Sequence, residues 1–163
     1  MIRRRLTPLQ ALQRLESLCS RSEQCESELY TKLSRWGISS AMAEKIMERL
    51  RAGRYVDDVR FAHAFVRDKY LFQRWGRIKI SAALRLKRIE SDTISAAIDE
   101  EIDESTYHAN LMALIRAKVR QLEQPRSYDN RTRLLRFAAG RGYEPAIIIK
   151  TLNDDATWEE TVC

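Results

Sequence analysis

Tyr55 Val56 Asp57 Asp58 Val59 Arg60 Phe61 Ala62 is the stretch that decides the fold of this chain. Its paired aspartates are placed to open a helix. Asp57 can accept a backbone N–H as N-cap, and Asp58 lies at the positive end of the helix dipole. Phe61, Ala62, Phe65 and Val66 then recur at the spacing of one buried helical face. Gly53 closes the helix before this joint and Gly76 marks the break after it, so the joint links two helical units.

Upstream, Thr7 caps a first helix, with Pro8 at its first position and Gln10 completing a capping box. Leu9, Leu12, Leu15 and Leu18 form its apolar side. A second helix follows Ser20 or Ser22, buries Leu29 and Leu33, and ends at Gly37, which accepts the left-handed conformation cheaply. Ser39 or Ser40 caps a third that turns Met42, Ala43, Ile46, Met47 and Leu50 inward. After Gly76 the fifth helix carries two apolar stripes, Ile80 with Leu84 and Ile78 with Ala82 and Leu86, which implies neighbours on both sides. Ser91 caps a sixth through Ile94, Ile98 and Ile102. A seventh runs from about Asp103 to Leu122, with Leu111, Leu114, Ile115 and Val119 on its apolar side. Pro125 stops it. Ser127 or Asp129 starts an eighth through Leu134, Leu135, Phe137 and Ala138, and after Gly142 a ninth begins at Glu144 and Pro145 and holds Ile148 and Leu152.

Nine helices fall into three triplets. Aligning Gly37 Ile38, Arg88 Ile89 and Gly142 Tyr143 puts Ala43, Ile94 and Ile148 in register, and then Met47, Ile98 and Leu152, at separations of 51 and 54 residues. The fold class expected is all-α, an elongated, curved array of three tandem three-helix units. Their bounds are 7–54, 55–102 and 103–155, with flexible termini at 1–6 and 156–163. Stacked triplets present a long surface instead of one deep pocket, so function is sought in shape and charge.

Composition agrees. Only 5 glycines and 3 prolines occur among 163 residues, and no strand-like alternation is visible. A net charge of +6 points to an acidic partner. Cys19, Cys25 and Cys163 are an odd set without paired spacing, which argues against a disulfide framework and for a reducing, cytoplasmic setting. Arg3, Arg4 and Arg5 lead into no apolar run of signal-peptide length, and no membrane span is apparent. Cys19, Cys25, His63 and His108 lack metal-ligand spacing, and there is no phosphate-cradling loop, nucleophile elbow or triad. The chain therefore reads as a binding protein without cofactor or metal, not an enzyme.

At these residues the chain resembles the RecX family of bacterial RecA regulators. Ser20 Arg21 Ser22 Glu23, then Glu28 Leu29, Lys32 Leu33 and Gly37 Ile38, are similar to the family's opening pattern. Tyr55 Val56 Asp57 Asp58 with Phe61 Ala62 resembles its leucine, aspartate, aspartate signature, with Val56 where leucine is usual. Trp75 Gly76 with Ile80, Leu84 and Ile89 looks like its second unit, and Phe137, Arg141 Gly142 Tyr143 like its third. The structural signature carried over is thus Gly37, Asp57, Asp58, Phe61, Gly76 and Gly142. Two departures stand out: Arg88 replaces a glycine, and Ala83 replaces a glutamate. The resemblance implies a non-enzymatic modulator that lies in the groove of the RecA filament on DNA, bridges neighbouring protomers, and restrains ATP hydrolysis, strand exchange and repressor cleavage; the chain is expected to act as a monomer and to contact DNA within the filament.

Charge is distributed in blocks. Lys69 to Ile89 holds seven basic residues and no acid, whereas Glu90 to Glu104 holds seven acids and no base. Arg77, Arg85 and Arg88 project within about 80° of one another on the fifth helix, a geometry suited to phosphates or carboxylates along a groove. Pairing with the adjacent acidic helix, or solvation, is the equal alternative. Arg126, Arg131, Arg133, Arg136 and Arg141 meet only Asp129, and Arg133 and Arg136 lie opposite Leu134 and Ala138. Arginine suits planar bidentate contacts, and this second stretch is the stronger partner-binding candidate. Arg35 Trp36 Gly37 and Arg74 Trp75 Gly76 repeat a tripeptide whose indole either anchors an interface or, the favoured reading, shields a helix end. The rival functional reading is a basic DNA- or RNA-binding helical module that acts without RecA, recognisable by tight, salt-dependent affinity for naked DNA.

Overall fold

The computed structural model describes residues 5–159. Among them the chain forms nine α-helices and no strand: α1 Pro8–Arg21, α2 Glu26–Arg35, α3 Ser40–Ala52, α4 Asp58–Leu71, α5 Arg77–Leu86, α6 Ser91–Glu101, α7 Glu104–Val119, α8 Tyr128–Gly140 and α9 Pro145–Asn153. They succeed one another as tandem triplets. Packing sorts them into two compact units. One comprises the residues up to Phe65 with Leu84–Ile94, the other Val66–Ala83 with the residues from Ser95 onward. The residues of α4, α5 and α6 are thus shared between the units.

Each triplet closes its second helix in the same way. At Gly37, Arg88 and Gly142 the backbone turns left-handed, with φ of 78°, 60° and 93°. The amides of Ile38, Ile89 and Tyr143 donate back to the carbonyls of Leu33, Leu84 and Ala138 at 3.1, 3.2 and 3.2 Å. This is the Schellman closure, which satisfies carbonyls a helix would leave orphaned and reverses the chain for the next helix. Arg88 adopts a conformation that disfavours side chains because its turn is held from outside. The Ser27 hydroxyl donates to the Lys87 carbonyl at 2.6 Å, and the Lys87 ammonium pairs with Glu28. Arg88 also lies past the end of α5, so the helical projection that grouped it with Arg77 and Arg85 does not apply to it.

In the first unit α1, α2 and α3 pack around Leu15, Leu29, Leu33, Met47 and Leu50, all fully buried. Each such side chain contributes roughly 1.5–3 kcal/mol by leaving water. The capping box forms as read, Gln10 N–H donating to Thr7 and Thr7 N–H to the Gln10 side chain. Leu9, however, is 62% exposed, and Ala11 takes the buried place beside Leu12.

The start of α2 is the main departure. It begins at Glu26, several residues after Ser22, and its N-cap, Cys25, makes no side-chain capping bond. The acceptor comes from elsewhere in the chain. Asp58 Oδ1 accepts the Glu26 N–H at 2.9 Å, while Asp57 Oδ1 caps its own helix by accepting from Val59 and Arg60 at 2.9 and 3.0 Å. The two aspartates therefore close two helix starts. Burial, then the nearby Glu26 and Asp57 charges, push the Asp58 carboxyl above its usual value.

In the second unit Gly76 donates to the Arg141 carbonyl at 2.8 Å and Ile78 to the Gly142 carbonyl at 3.0 Å. The backbones are so close that a Cβ on Gly76 would sit 2.2 Å from the Gly142 carbonyl carbon. Tyr107 and Tyr143, fully buried, pack with ring centroids 4.9 Å apart and ring planes tilted by 38°. The Tyr107 hydroxyl donates to Glu144 at 2.6 Å and accepts from Arg77 N–H at 3.0 Å. Burial, then the Glu144 bond, raise its pKa. Burial lifts Tyr143 to about 12. The sequence reading passed over Tyr107, whose neighbours along α7 are polar.

The second stripe of α5 has no cover among the described residues: Ile78 is 52% and Leu86 87% exposed, against complete burial of Ile80 and Leu84. Periodicity counts apolar side chains, not neighbours. Of the segment 156–163 assigned to a flexible terminus, Thr157 is 1% exposed and the Trp158 indole donates to the Leu152 carbonyl at 3.2 Å. Residues 1–4 and 160–163, with Arg3, Arg4 and Cys163, lie outside the described residues.

Asp58→Ala should lower stability by about 1 kcal/mol in urea unfolding, the loss of a cap, while Asp58→Asn keeps the acceptor and most of that stability. A carboxyl with a raised native pKa holds its proton longer in the folded state. Its contribution therefore falls as pH rises from about 4 through the native value, and Asp58→Asn should flatten that part of the pH profile. Arg88→Gly should raise stability by about 1 kcal/mol by relieving the left-handed strain.

Candidate functional site

The seven arginines singled out by spacing separate into two groups by what their guanidinium groups touch. Arg77, half-buried, lies over the Tyr107 ring at 4.1 Å and pairs with Glu104 and, at 3.2 Å, with Glu144. Arg131 donates to the Leu152 carbonyl at 3.0 Å and to Asn153 Oδ1 at 2.7 Å, satisfying the C-terminal end of α9. Arg141 donates to the Gln73 carbonyl and offers its own carbonyl to Gly76. These three hold the fold of the second unit together.

Arg85, Arg88, Arg133 and Arg136 are exposed. Arg133 and Arg136 stand one turn apart on α8, whose Leu134 and Ala138 are fully buried on the opposite face. Arg85 lies in the last turn of α5 and Arg88 within the closing turn that follows, and both belong to the other unit. Exposed guanidinium groups on α8 and at the end of α5 can take carboxylate or phosphate in a bidentate manner.

The two tryptophan tripeptides differ in structure. Trp36 is the C-cap of α2 and precedes the left-handed Gly37, whereas in the second the left-handed residue is Arg74, φ 52°, three residues beyond the end of α4. The Lys69 and Lys79 ammonium groups lie 5.2 and 4.3 Å from the Trp75 ring centroid, shielding it. Trp36 instead forms one wall of a cleft of about 770 Å³ with Arg5, Gln10, Gln13, Arg14 and Ser17. The sequence reading attached no role to Arg5 or Arg14. The available signal was the run Gln10, Gln13, Arg14, Ser17, Arg21, a polar face of α1 broken by no acid.

Asp57 and Asp58 are engaged with backbone amides, and among the described residues no cluster of His, Cys, Asp or Glu could hold a metal ion. Cys19 and Cys25 are free thiols, and burial raises the pKa of both. No helix among the described residues is long and apolar enough to cross a membrane.

Comparison with known proteins converges on one family. The family model for the second three-helix domain of RecX matches residues 57–98, beginning at the Asp57 cap. The regulatory protein RecX of Xanthomonas campestris pv. campestris (strain B100) is 31% identical over 141 residues, which cover 86% of this chain and 85% of that protein. Two crystal structures share the fold. One, of RecX from Lactobacillus salivarius, has a TM-score of 0.77 at 17% identity, covering 89% of this chain and 94% of that one. The other, of a regulatory protein RecX, has a TM-score of 0.76 at 19% identity, covering 90% and 72%.

The division of arginines predicts a contrast in stability. Arg131→Ala should lower the unfolding free energy by about 1.5–3 kcal/mol through lost charge-assisted bonds. Arg133→Ala should stay within about 0.5 kcal/mol of the parent. Parallel urea melts check both.

Proposed function

The chain belongs to the RecX family, and from that premise we propose that it is a non-enzymatic modulator, mainly an inhibitor, of the RecA recombinase. The observation that carries the reading is the likeness to a regulatory protein RecX along 86% of this chain and 85% of that protein. The proposed partner is the RecA filament on DNA, engaged along its groove by a cytoplasmic monomer built of triplets 7–54, 55–102 and 103–155, without cofactor or metal.

Exposed Arg85, Arg88, Arg133 and Arg136 are the proposed contacts, to carboxylates of RecA or to phosphates of DNA within the filament. Arg77, Arg131 and Arg141 serve this reading indirectly, by holding together the second unit, from which Arg133 and Arg136 project. A helical body lodged across neighbouring protomers favours one relative arrangement of them. Because the ATP cycle requires protomers to move, such binding restrains ATP hydrolysis, strand exchange and repressor cleavage without entry into the nucleotide site.

The test is the single-stranded-DNA-dependent ATPase of the cognate RecA, with this protein titrated in. Inhibition is expected to saturate, and Arg133→Glu with Arg136→Glu should raise the half-inhibitory concentration roughly tenfold or more while helical circular dichroism is retained. Full turnover at saturating protein would sink the RecA reading, and unchanged inhibition by the double variant would remove α8 from the contact.

A further inference from the structure

We propose that the cleft between α1 and the α2–α3 turn is a binding site for a single-stranded nucleic acid, with Trp36 as the platform for a base and Arg5 and Arg14 as its phosphate contacts. The site is held in shape by backbone bonds. The Leu6 amide donates to the Trp36 carbonyl at 3.4 Å, fixing the segment before α1 beside the turn. The Trp36 amide donates to the Lys32 and Leu33 carbonyls at 3.0 and 3.2 Å, so its ring is carried on a closed helix end. Gly37 brings Arg5 close, since a Cβ there would lie 3.2 Å from Arg5 Cγ.

The lining chemistry selects the ligand. Among the described residues it contains two guanidinium groups, two side-chain amides, a hydroxyl, an indole and the aliphatic Leu6, and no carboxylate. Arg14 lies 5.9 Å from the Trp36 ring centroid, a cation at an aromatic face. Gln10 uses its carbonyl oxygen on Thr7 N–H, which leaves its amide hydrogens for a base edge. Arg21 donates to Ser17 at 3.1 Å and extends the basic row one turn further along α1. A positively charged track beside an aromatic ring is how sequence-tolerant single-strand binding is built. A duplex keeps its base faces stacked inside and leaves none free for an aromatic ring, so an indole wall favours a single strand.

This site lies on residues separate from the α8 arginines, and its test uses the protein alone, so its failure and that of the RecA reading are distinguishable. Binding of a fluorescently labelled oligothymidylate is followed by anisotropy across a salt series, for the parent, Trp36→Phe, Trp36→Leu, Arg14→Gln and Arg5→Gln with Arg14→Gln. Affinity is expected to fall about tenfold for Trp36→Leu and less for Trp36→Phe, which keeps a ring. Each arginine removed should reduce the slope of log K against log salt by about 0.7. The surface arginine variants keep the test decisive should Trp36→Leu unfold. Absence of binding by the parent, unchanged affinity and slope in the arginine variants, or equal affinity for duplex would each overturn the proposal. So would variants that lose RecA inhibition while binding the oligonucleotide normally, because the cleft would then hold protein.

Discussion

The left-handed turn at the end of each triplet's second helix is the constraint on which the rest depends. It reverses the chain while satisfying carbonyls at the helix end, and it delivers an apolar residue, Ile38, Ile89 or Tyr143, toward a core. The residues five and nine beyond the apolar member, Ala43 and Met47, Ile94 and Ile98, Ile148 and Leu152, are then buried in every copy. Glycine supplies the turn twice. The third time, arginine is held there by a hydroxyl from α2 on the Lys87 carbonyl and an ion pair from Lys87 to Glu28.

Capping by remote residues is the second organising device. A helix whose own N-cap position holds a cysteine obtains its acceptor from Asp58, 32 residues on, so the first triplet is tied to the start of the next helix through one carboxylate. That role explains why a paired-aspartate motif need not signal acid–base chemistry or cation binding. Each carboxylate already accepts backbone N–H groups, one from its own helix and one from another.

Much of the basic charge serves structure. A guanidinium over the Tyr107 ring, one at the end of α9 and one on the Gln73 carbonyl are internal fasteners, although in sequence they are indistinguishable from their exposed neighbours. The exposed basic surface is therefore smaller than the count of arginines suggests.

The sequence alone determined the helices, their triplet register and the all-α class. Capping residues, glycines and apolar periodicity act within a few residues of one another, as at Thr7 with Gln10 or Gly142 with Tyr143. It also determined the family, through the Asp57 Asp58 Phe61 joint. Only the tertiary structure decided that Asp58 caps a distant helix, that Leu9, Ile78 and Leu86 face solvent, that Tyr107 is a core residue, and which arginines stay exposed. Those outcomes are set by what lies opposite a side chain in space, and neither periodicity nor charge along one chain encodes the identity of that neighbour.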